Sequence, residues 1–301
     1  MNNHIPVLLE PIVESYLEHN VTNNVFDGTF GGGGYSYRFL ESKANVYACD
    51  LDSNAINRAK KNKKLTLVKS NFANYIQDFD DNYFDMIVVD LGFSNNQLTI
   101  DEKGFSYQKK DQIVDLRYNE DAGRSCSDLL KMMKAETLSK ILYENSGEIF
   151  SRKIANTIFE NRDSVKSIKV SDLEKWVVDS IPQKFMNKKN QVLSRVWQSL
   201  RIHVNDEFES LRLFLSKAPA KLRVGGILCV VNFHSLEDKI TTKTFRELSK
   251  TYDVDKFGNK GQDFELITRK PITANVQELE DNVQSRSATL RIIKKCQGQN
   301  K

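Results

Sequence analysis

Along the first third of the chain, short apolar runs alternate with stretches of helical spacing. Asn24–Phe30 is an apolar run closed by glycines, and Tyr35–Ser42 follows with helical periodicity. Asn45–Asp52 reads as a second strand ending in acids. Ser53–Lys63 reads as a helix, with Ser53 or Asn54 as its cap. Leu65–Val68 is a third strand and Asp85–Phe93 a fourth, whose near-continuous apolar centre implies burial on both faces. Alternation of this kind predicts a parallel sheet wrapped by helices.

The pattern then changes. From Asp101 to Gln198 no strand run is evident, whereas Cys126–Met133, Glu136–Tyr143, Glu148–Asn161 and Val170–Ser180 carry helical spacing. The strand pattern resumes at Leu222–Phe233, a helix follows over Leu236–Ser249, and Phe264–Thr268 and Ala288–Lys294 read as two further strands. Residues 1–102 and 199–301 are therefore expected to form one α/β domain, with 103–198 as an all-helical insertion. Asn187–Gln191, polar and basic, is the best flexible loop.

With 301 residues, of which 40% are hydrophobic, the chain can bury a substantial core, which excludes a disordered or fibrous polymer. The longest apolar run, Ile227–Phe233, is strand-sized, well short of a membrane span. The N-terminus lacks the features of a signal or transit peptide. The cysteines Cys49, Cys126, Cys229 and Cys296 are far apart and form no CxxC pair. A cytosolic protein without a metal is expected.

In open α/β sheets, ligands bind beyond the carboxyl ends of the strands. The first strand ends at Asp27, followed by Gly28 and, after Thr29 and Phe30, by the run Gly31, Gly32, Gly33 and Gly34. Such a loop lets a ligand approach the main chain closely. The second strand ends at Asp50, 23 positions after Asp27, near the spacing at which an acid meets the ribose diol of a nucleotide. Phe72, after the third strand, can lie against an adenine face. Asp27 would crowd a pyrophosphate but attract a cation, which favours S-adenosylmethionine over a dinucleotide.

The fourth strand ends at Asp90, with Gly92, Phe93, Ser94 and Gln97 just beyond. A carboxylate beside the cofactor could accept the N–H bonds of a nucleobase amine and turn its lone pair toward the methyl group. Phe93 could stack on a flipped base. A turn-capping Asp90 and a core Phe93 fit the residues equally well. The fifth strand delivers His234 to the same edge, where a structural histidine is the commoner outcome.

Between Pro182 and Asn205 there is no Asp or Glu, while Lys184, Lys188, Lys189, Arg195 and Arg201 interleave with Phe185, Trp197 and His203. Cations neutralise phosphates and aromatic rings stack on unpaired bases. A solvated helix face with Trp197 in the core is the alternative. Arg286, in the last loop, is a further candidate for contact with RNA.

Taken together, the motifs resemble the RsmH (MraW) family of 16S rRNA cytosine-N4 methyltransferases nearly end to end. The matching segments include His4–Leu9, Asp27–Gly31, Asp90–Gly92 with Ser94 and Gln97, Gly104–Ser106, Asp115–Arg117, Gly147–Glu148, Gln198–Ile202 and Phe233–Asp238. Lys270–Ile272 and Ser285–Ala288 complete the series. The resemblance implies a class I, Rossmann-like α/β fold with a mostly parallel seven-stranded sheet and an inserted helical domain that recognises RNA. It implies S-adenosylmethionine as cofactor and the N4 amine of a decoding-centre cytidine, in 16S rRNA of the small ribosomal subunit, as methyl acceptor.

The family's cofactor contacts fall on Gly33, Gly34, Tyr35, Asp50, Phe72, Asp90 and Gln97, with Asp27 and Gly31 in the same loop. Asp90, Ser94 and His234 are the expected catalytic set. Lys184, Lys188, Lys189, Arg195, Trp197, Arg201 and Arg286 are the expected RNA set. Tyr35 stands where the family usually has His, and Tyr118 where it usually has Met. Two other functions are weighed. A nicotinamide-dependent oxidoreductase lacks a clearly placed hydride partner. A non-catalytic rRNA-binding assembly protein has no need of an intact Asp50 and Asp90.

Overall fold

The computed structural model describes residues 6–18, 23–92, 103–121, 123–253 and 260–297. The chain divides into two compact units, Met1–Gly92 with Glu209–Lys301 and, between them in sequence, Phe93–Phe208.

The first unit is built on a seven-stranded sheet in the order β3-β2-β1-β4-β5-β9-β8. Its strands are β1 (Asn24–Asp27), β2 (Asn45–Asp50), β3 (Leu65–Lys69), β4 (Phe84–Asp90), β5 (Leu222–Asn232), β8 (Phe264–Leu266) and β9 (Thr289–Lys295). The pairs from β3 through β5 are parallel, and β9 runs antiparallel to both its neighbours. A separate two-stranded ribbon pairs β6 (Tyr252–Asp253) with β7 (Lys260–Gly261).

The central strands are buried on both faces, as their sequence implies. Met86 and Val88 of β4 join Ile227 and Cys229 of β5 in one core, with Val25 and Val46. Phe84, Ile87 and Val89 point the other way, into a core with Phe26, Phe214 and Leu228. The alternation is that of a strand with helices on either side. Phe26, Phe84 and Phe214 are completely buried, and each contributes about 1.5–3 kcal/mol by leaving water.

Several expected boundaries move. The helix after β2 is only Ser53–Arg58, because Ala59 turns extended, and its cap is Asp52, whose side chain accepts from Asn54 N at 2.8 Å. β1 stops at Asp27, and Gly28–Gly33 form the loop ahead of the helix Gly34–Glu41. A short Leu9–Glu18 helix precedes β1.

The second unit is helical: Cys126–Met132, Ala135–Ser146, Ser151–Asn161, Val170–Asp179 and Lys189–Val204 enclose a core of Leu130, Leu142, Ile154, Leu173 and Val196. Its β pairing among the described residues is an isolated bridge between Ile113 and Lys169. A division after Gln198 would cut the Lys189–Val204 helix, and the compact unit runs on to Phe208. Asn187–Gln191 is no loop: it spans the end of the 3₁₀ turn Gln183–Lys188 and the start of that helix. Among the described residues no helix is long and apolar enough to cross a membrane, and no group of three or more His, Cys, Asp or Glu could hold a metal ion.

Candidate active site

Sheet register places the acids. Asp27 pairs with Ala48 on one side and Val88 on the other. The flanking strands therefore run two residues further, to Asp50 and Asp90, while β1 gives way to the glycine loop. Strand order also reverses here, since β1 leads to β2 on one side and β3 crosses to β4 on the other. That crevice is where open α/β sheets bind ligands.

Three groups hold the loop in shape. Gly33 adopts φ +80° and caps the helix Gly34–Glu41, a left-handed conformation that suits glycine. Gly31, at φ +51°, would place a Cβ in ordinary contact with Thr29 O at 3.9 Å. Gly28 packs so closely that a Cβ would lie 2.6 Å from Val89 Cγ1 and 2.9 Å from Phe72 Cβ.

Each acid has its own anchors. Asp27 is fully buried, accepting from Ser36 Oγ at 2.6 Å and Thr29 N at 3.2 Å. Burial, with the nearby Asp50 charge, raises its pKa to about 6 against the pull of those donors. Asp50 accepts from Gly31 N at 2.7 Å and Asp52 N at 2.8 Å. Burial raises it too. Asp90 Oδ1 accepts from Gly92 N at 2.8 Å, and Oδ2 lies 3.0 Å from the Tyr35 hydroxyl. Its own N–H donates to Thr29 Oγ1 at 2.8 Å. Burial, with Asp27 and Glu237 nearby, raises Asp90 to about 7 despite Gly92 and Tyr35.

His234 follows β5 as the N-cap of the helix Ser235–Leu248. Its ring nitrogen Nδ1 accepts weakly from Glu237 N at 3.4 Å, and Nε2 lies 2.9 Å from Glu237 Oε1. Glu237 is buried and also accepts from Phe233 N at 2.8 Å. The histidine is thus built into a capping box, and Glu237 carries more of the local structure than sequence reasoning assigned to it. Phe72 is half-buried, its ring edge-on to Phe214 at 5.2 Å. Ser94, Gln97 and Phe93 lie outside the described residues.

The basic stretch divides. Lys184 and Lys188 are exposed, with their ammonium groups 5.1 and 6.0 Å from the Phe185 ring centre. Phe185 packs on Phe150 at 5.3 Å. Lys189 is drawn to Glu174 at 3.7 Å. Two expected RNA residues turn inward instead, and a third leans toward a buried acid. Trp197 is 5% exposed and donates from Nε1 to Gly104 O at 3.0 Å. Arg201 is 9% exposed and forks to Glu207 at 2.8 and 2.9 Å. Arg195 is half-buried, 3.8 Å from the fully buried Glu148. A helix has an inner face, and an acid-free sequence does not say which residues occupy it. Arg286 is exposed on the 3₁₀ turn Val283–Ser287 of the sheet unit.

Sequence reasoning assigned no site role to Thr29, Ser36 or Glu237. The two hydroxyls sit within three residues of marked positions, but only the fold shows that they hold Asp90 and Asp27.

A doubly wound sheet in this order, with its antiparallel strand beside the far edge, a glycine loop after β1 and acids closing β2 and β4, defines a class I methyltransferase. The sequence profile of the MraW methylase family matches residues 1–296, and the chain belongs to that family. It is similar to the ribosomal RNA small subunit methyltransferase H of Porphyromonas gingivalis, 35% identical over 97% of this chain and 96% of the relative. The protein of the same name from Caldicellulosiruptor bescii is 34% identical over 98% of this chain and 100% of its own length. A solved rRNA methylase from Streptococcus thermophilus is similar at 11% identity, with a TM-score of 0.39 over 96% of this chain and 98% of that one.

The protein is an S-adenosylmethionine-dependent methyltransferase, and its residues fit that cofactor. Asp50 spends two acceptor sites on backbone N–H groups, which leaves lone pairs for a ribose diol. The acids on three neighbouring strand ends suit a cationic ligand.

Proposed function

We propose that the protein methylates the exocyclic N4 amine of a cytidine in the decoding centre of small-subunit rRNA. The observation that carries this reading is the half-buried Asp90 carboxyl at the switch point, fixed by Gly92 and Tyr35 beside the glycine loop. The relatives, named as small-subunit rRNA methyltransferases, support RNA as the acceptor.

When bound, S-adenosylmethionine supplies an electrophilic methyl group on a sulfonium. Asp50 holds the ribose, and Asp27, pinned by Ser36 and Thr29, keeps the glycine loop in register and offers negative charge. Asp90, ionised when the cofactor is in place, accepts an N–H of the base amine. That contact orients the nitrogen lone pair and favours loss of a proton as the new bond forms. Ser94 and Gln97 complete this end in the same proposal, and His234 supports it through Glu237. Lys184 and Lys188 contact phosphates, with Lys189, Arg195 and Arg286 as lesser contributors. The helical unit is the RNA-recognition unit in this reading.

The test incubates the protein with methyl-labelled S-adenosylmethionine and small subunits from cells lacking this enzyme. Digested nucleosides are then analysed by mass. N4-methylcytidine is the expected product. A different methylated base would overturn the acceptor assignment, and label that enters only protein would overturn RNA as substrate.

A further inference from the structure

The N-terminal turn and the Asp90 carboxyl share one phenol. Tyr35 is buried, and its hydroxyl hydrogen-bonds to Val7 O and also lies 3.0 Å from Asp90 Oδ2, the longer of the two contacts. A phenol carries one proton, and neither a carbonyl nor an ionised carboxylate brings another. The closer contact takes the tyrosine proton. The Asp90 contact is then a hydrogen bond only if Asp90 supplies the hydrogen. Its other oxygen, Oδ1, already accepts from Gly92 N, so an acid proton belongs on Oδ2, the atom facing Tyr35.

We propose that, in the cofactor-free protein, Asp90 is a neutral acid donating from Oδ2 to Tyr35 Oη, which donates in turn to Val7 O, and that cofactor binding releases the Asp90 proton to solvent. Tyr35 is thereby a positioning residue that sets the charge of Asp90 and ties it to the N-terminal turn. The proposal rests on the S-adenosylmethionine reading above.

The surroundings agree with it. Asp27 at the end of β1 and Glu237 on the helix Ser235–Leu248 face Asp90 with like charge, and burial adds to both. Asp50 stands near Asp27, and Glu278 on the helix Val276–Asp281 faces Tyr35. A sulfonium and an α-ammonium bring positive charge to this acidic edge and favour the carboxylate. The turn itself is held at three successive residues. Pro6 packs where a Cβ on Gly34 would lie 2.0 Å from its Cγ. Val7 O receives Tyr35, and Leu8 N donates to Glu278 Oε1 at 2.6 Å. Leu8 is fully buried at φ +52°, a strained conformation for leucine that the surrounding contacts impose. This gives Pro6, Val7 and Leu8, which the cofactor contacts leave unused, a part in the site.

Calorimetry of S-adenosylmethionine binding at pH 7, in two buffers of different ionisation enthalpy, tests the relay. Wild type should release protons on binding the cofactor at pH 7, more at pH 6 and progressively fewer as the pH rises. Asp90→Asn should abolish this release. Tyr35→Phe removes the partner of Oδ2, so release at pH 7 should depart clearly from the wild-type value. Tyr35→His, with one donor and one acceptor nitrogen, should retain it. Binding heat without proton release in wild type overturns the proposal, as does undiminished release in Asp90→Asn, which would assign the proton to Asp27. Equal release in Tyr35→Phe and wild type removes Tyr35 from it. Absence of any binding heat defeats the cofactor reading, and the proposal with it.

Discussion

At the ends of β1, β2 and β4, three acids each meet fixed donors: Ser36 and Thr29 for Asp27, Gly31 and Asp52 for Asp50, Gly92 for Asp90. Along Pro182–Asn205 of the helical unit, residues of equal chemical promise separate into core and surface. Trp197 and Arg201 are buried with partners, and Lys184 and Lys188 are exposed beside Phe185. A parallel strand ends at a defined edge, so whatever residue closes it is delivered to the crevice. A helix presents residues all round, so composition names candidates without choosing among them.

The largest expected effect tests the buried half of that contrast. Trp197→Ala removes a core indole and its bond to Gly104 O, and should cost about 3–5 kcal/mol in urea unfolding of the protein. Unchanged stability with weakened RNA binding would instead return Trp197 to the RNA surface.

A smaller effect concerns the strand ends. Asp27 keeps its proton to about pH 6 when folded, whereas an unfolded aspartate gives it up near 4. Between those values the folded state binds more protons, so this group makes stability fall as pH rises. The loss is on the order of 3 kcal/mol, complete above about pH 6. Asp27→Asn should flatten the pH dependence of unfolding between pH 4 and 6 relative to wild type. A parallel slope in the variant would mean that Asp27 is ionised throughout.

The smallest effect on stability belongs to the exposed cations. Lys184→Ala with Lys188→Ala should leave the unfolding free energy within about 0.5 kcal/mol. The same pair should weaken rRNA binding and reduce its log–log salt slope by about 1–2. An unchanged slope would make the pair ordinary solvated surface.

Much of the sheet unit could be read from sequence, because apolar runs closed by Asp27, Asp50 and Asp90 specify both strand and edge. The Ser53–Lys63 helix was overextended, since helical spacing continues past Ala59 where the backbone turns extended. The role of His234 was half legible. Its position after β5 followed from the pattern, but its engagement with Glu237 depends on the capping geometry of the next helix. The Tyr35 contacts were out of reach, because they join residues 28 and 55 positions apart that only tertiary packing brings together. The Arg195–Glu148 contact was out of reach for a related reason: Glu148 lies far back in the chain and fully inside the helical unit.

The central claim is that chemistry resides at the strand ends and RNA binding elsewhere. The most direct test measures methyl transfer and rRNA binding together for Asp90→Ala. Transfer should fall at least ~100-fold, as for loss of a preorganised polar group, while RNA affinity stays at the wild-type value. Wild-type transfer by Asp90→Ala, or an equal loss of RNA binding, would contradict it.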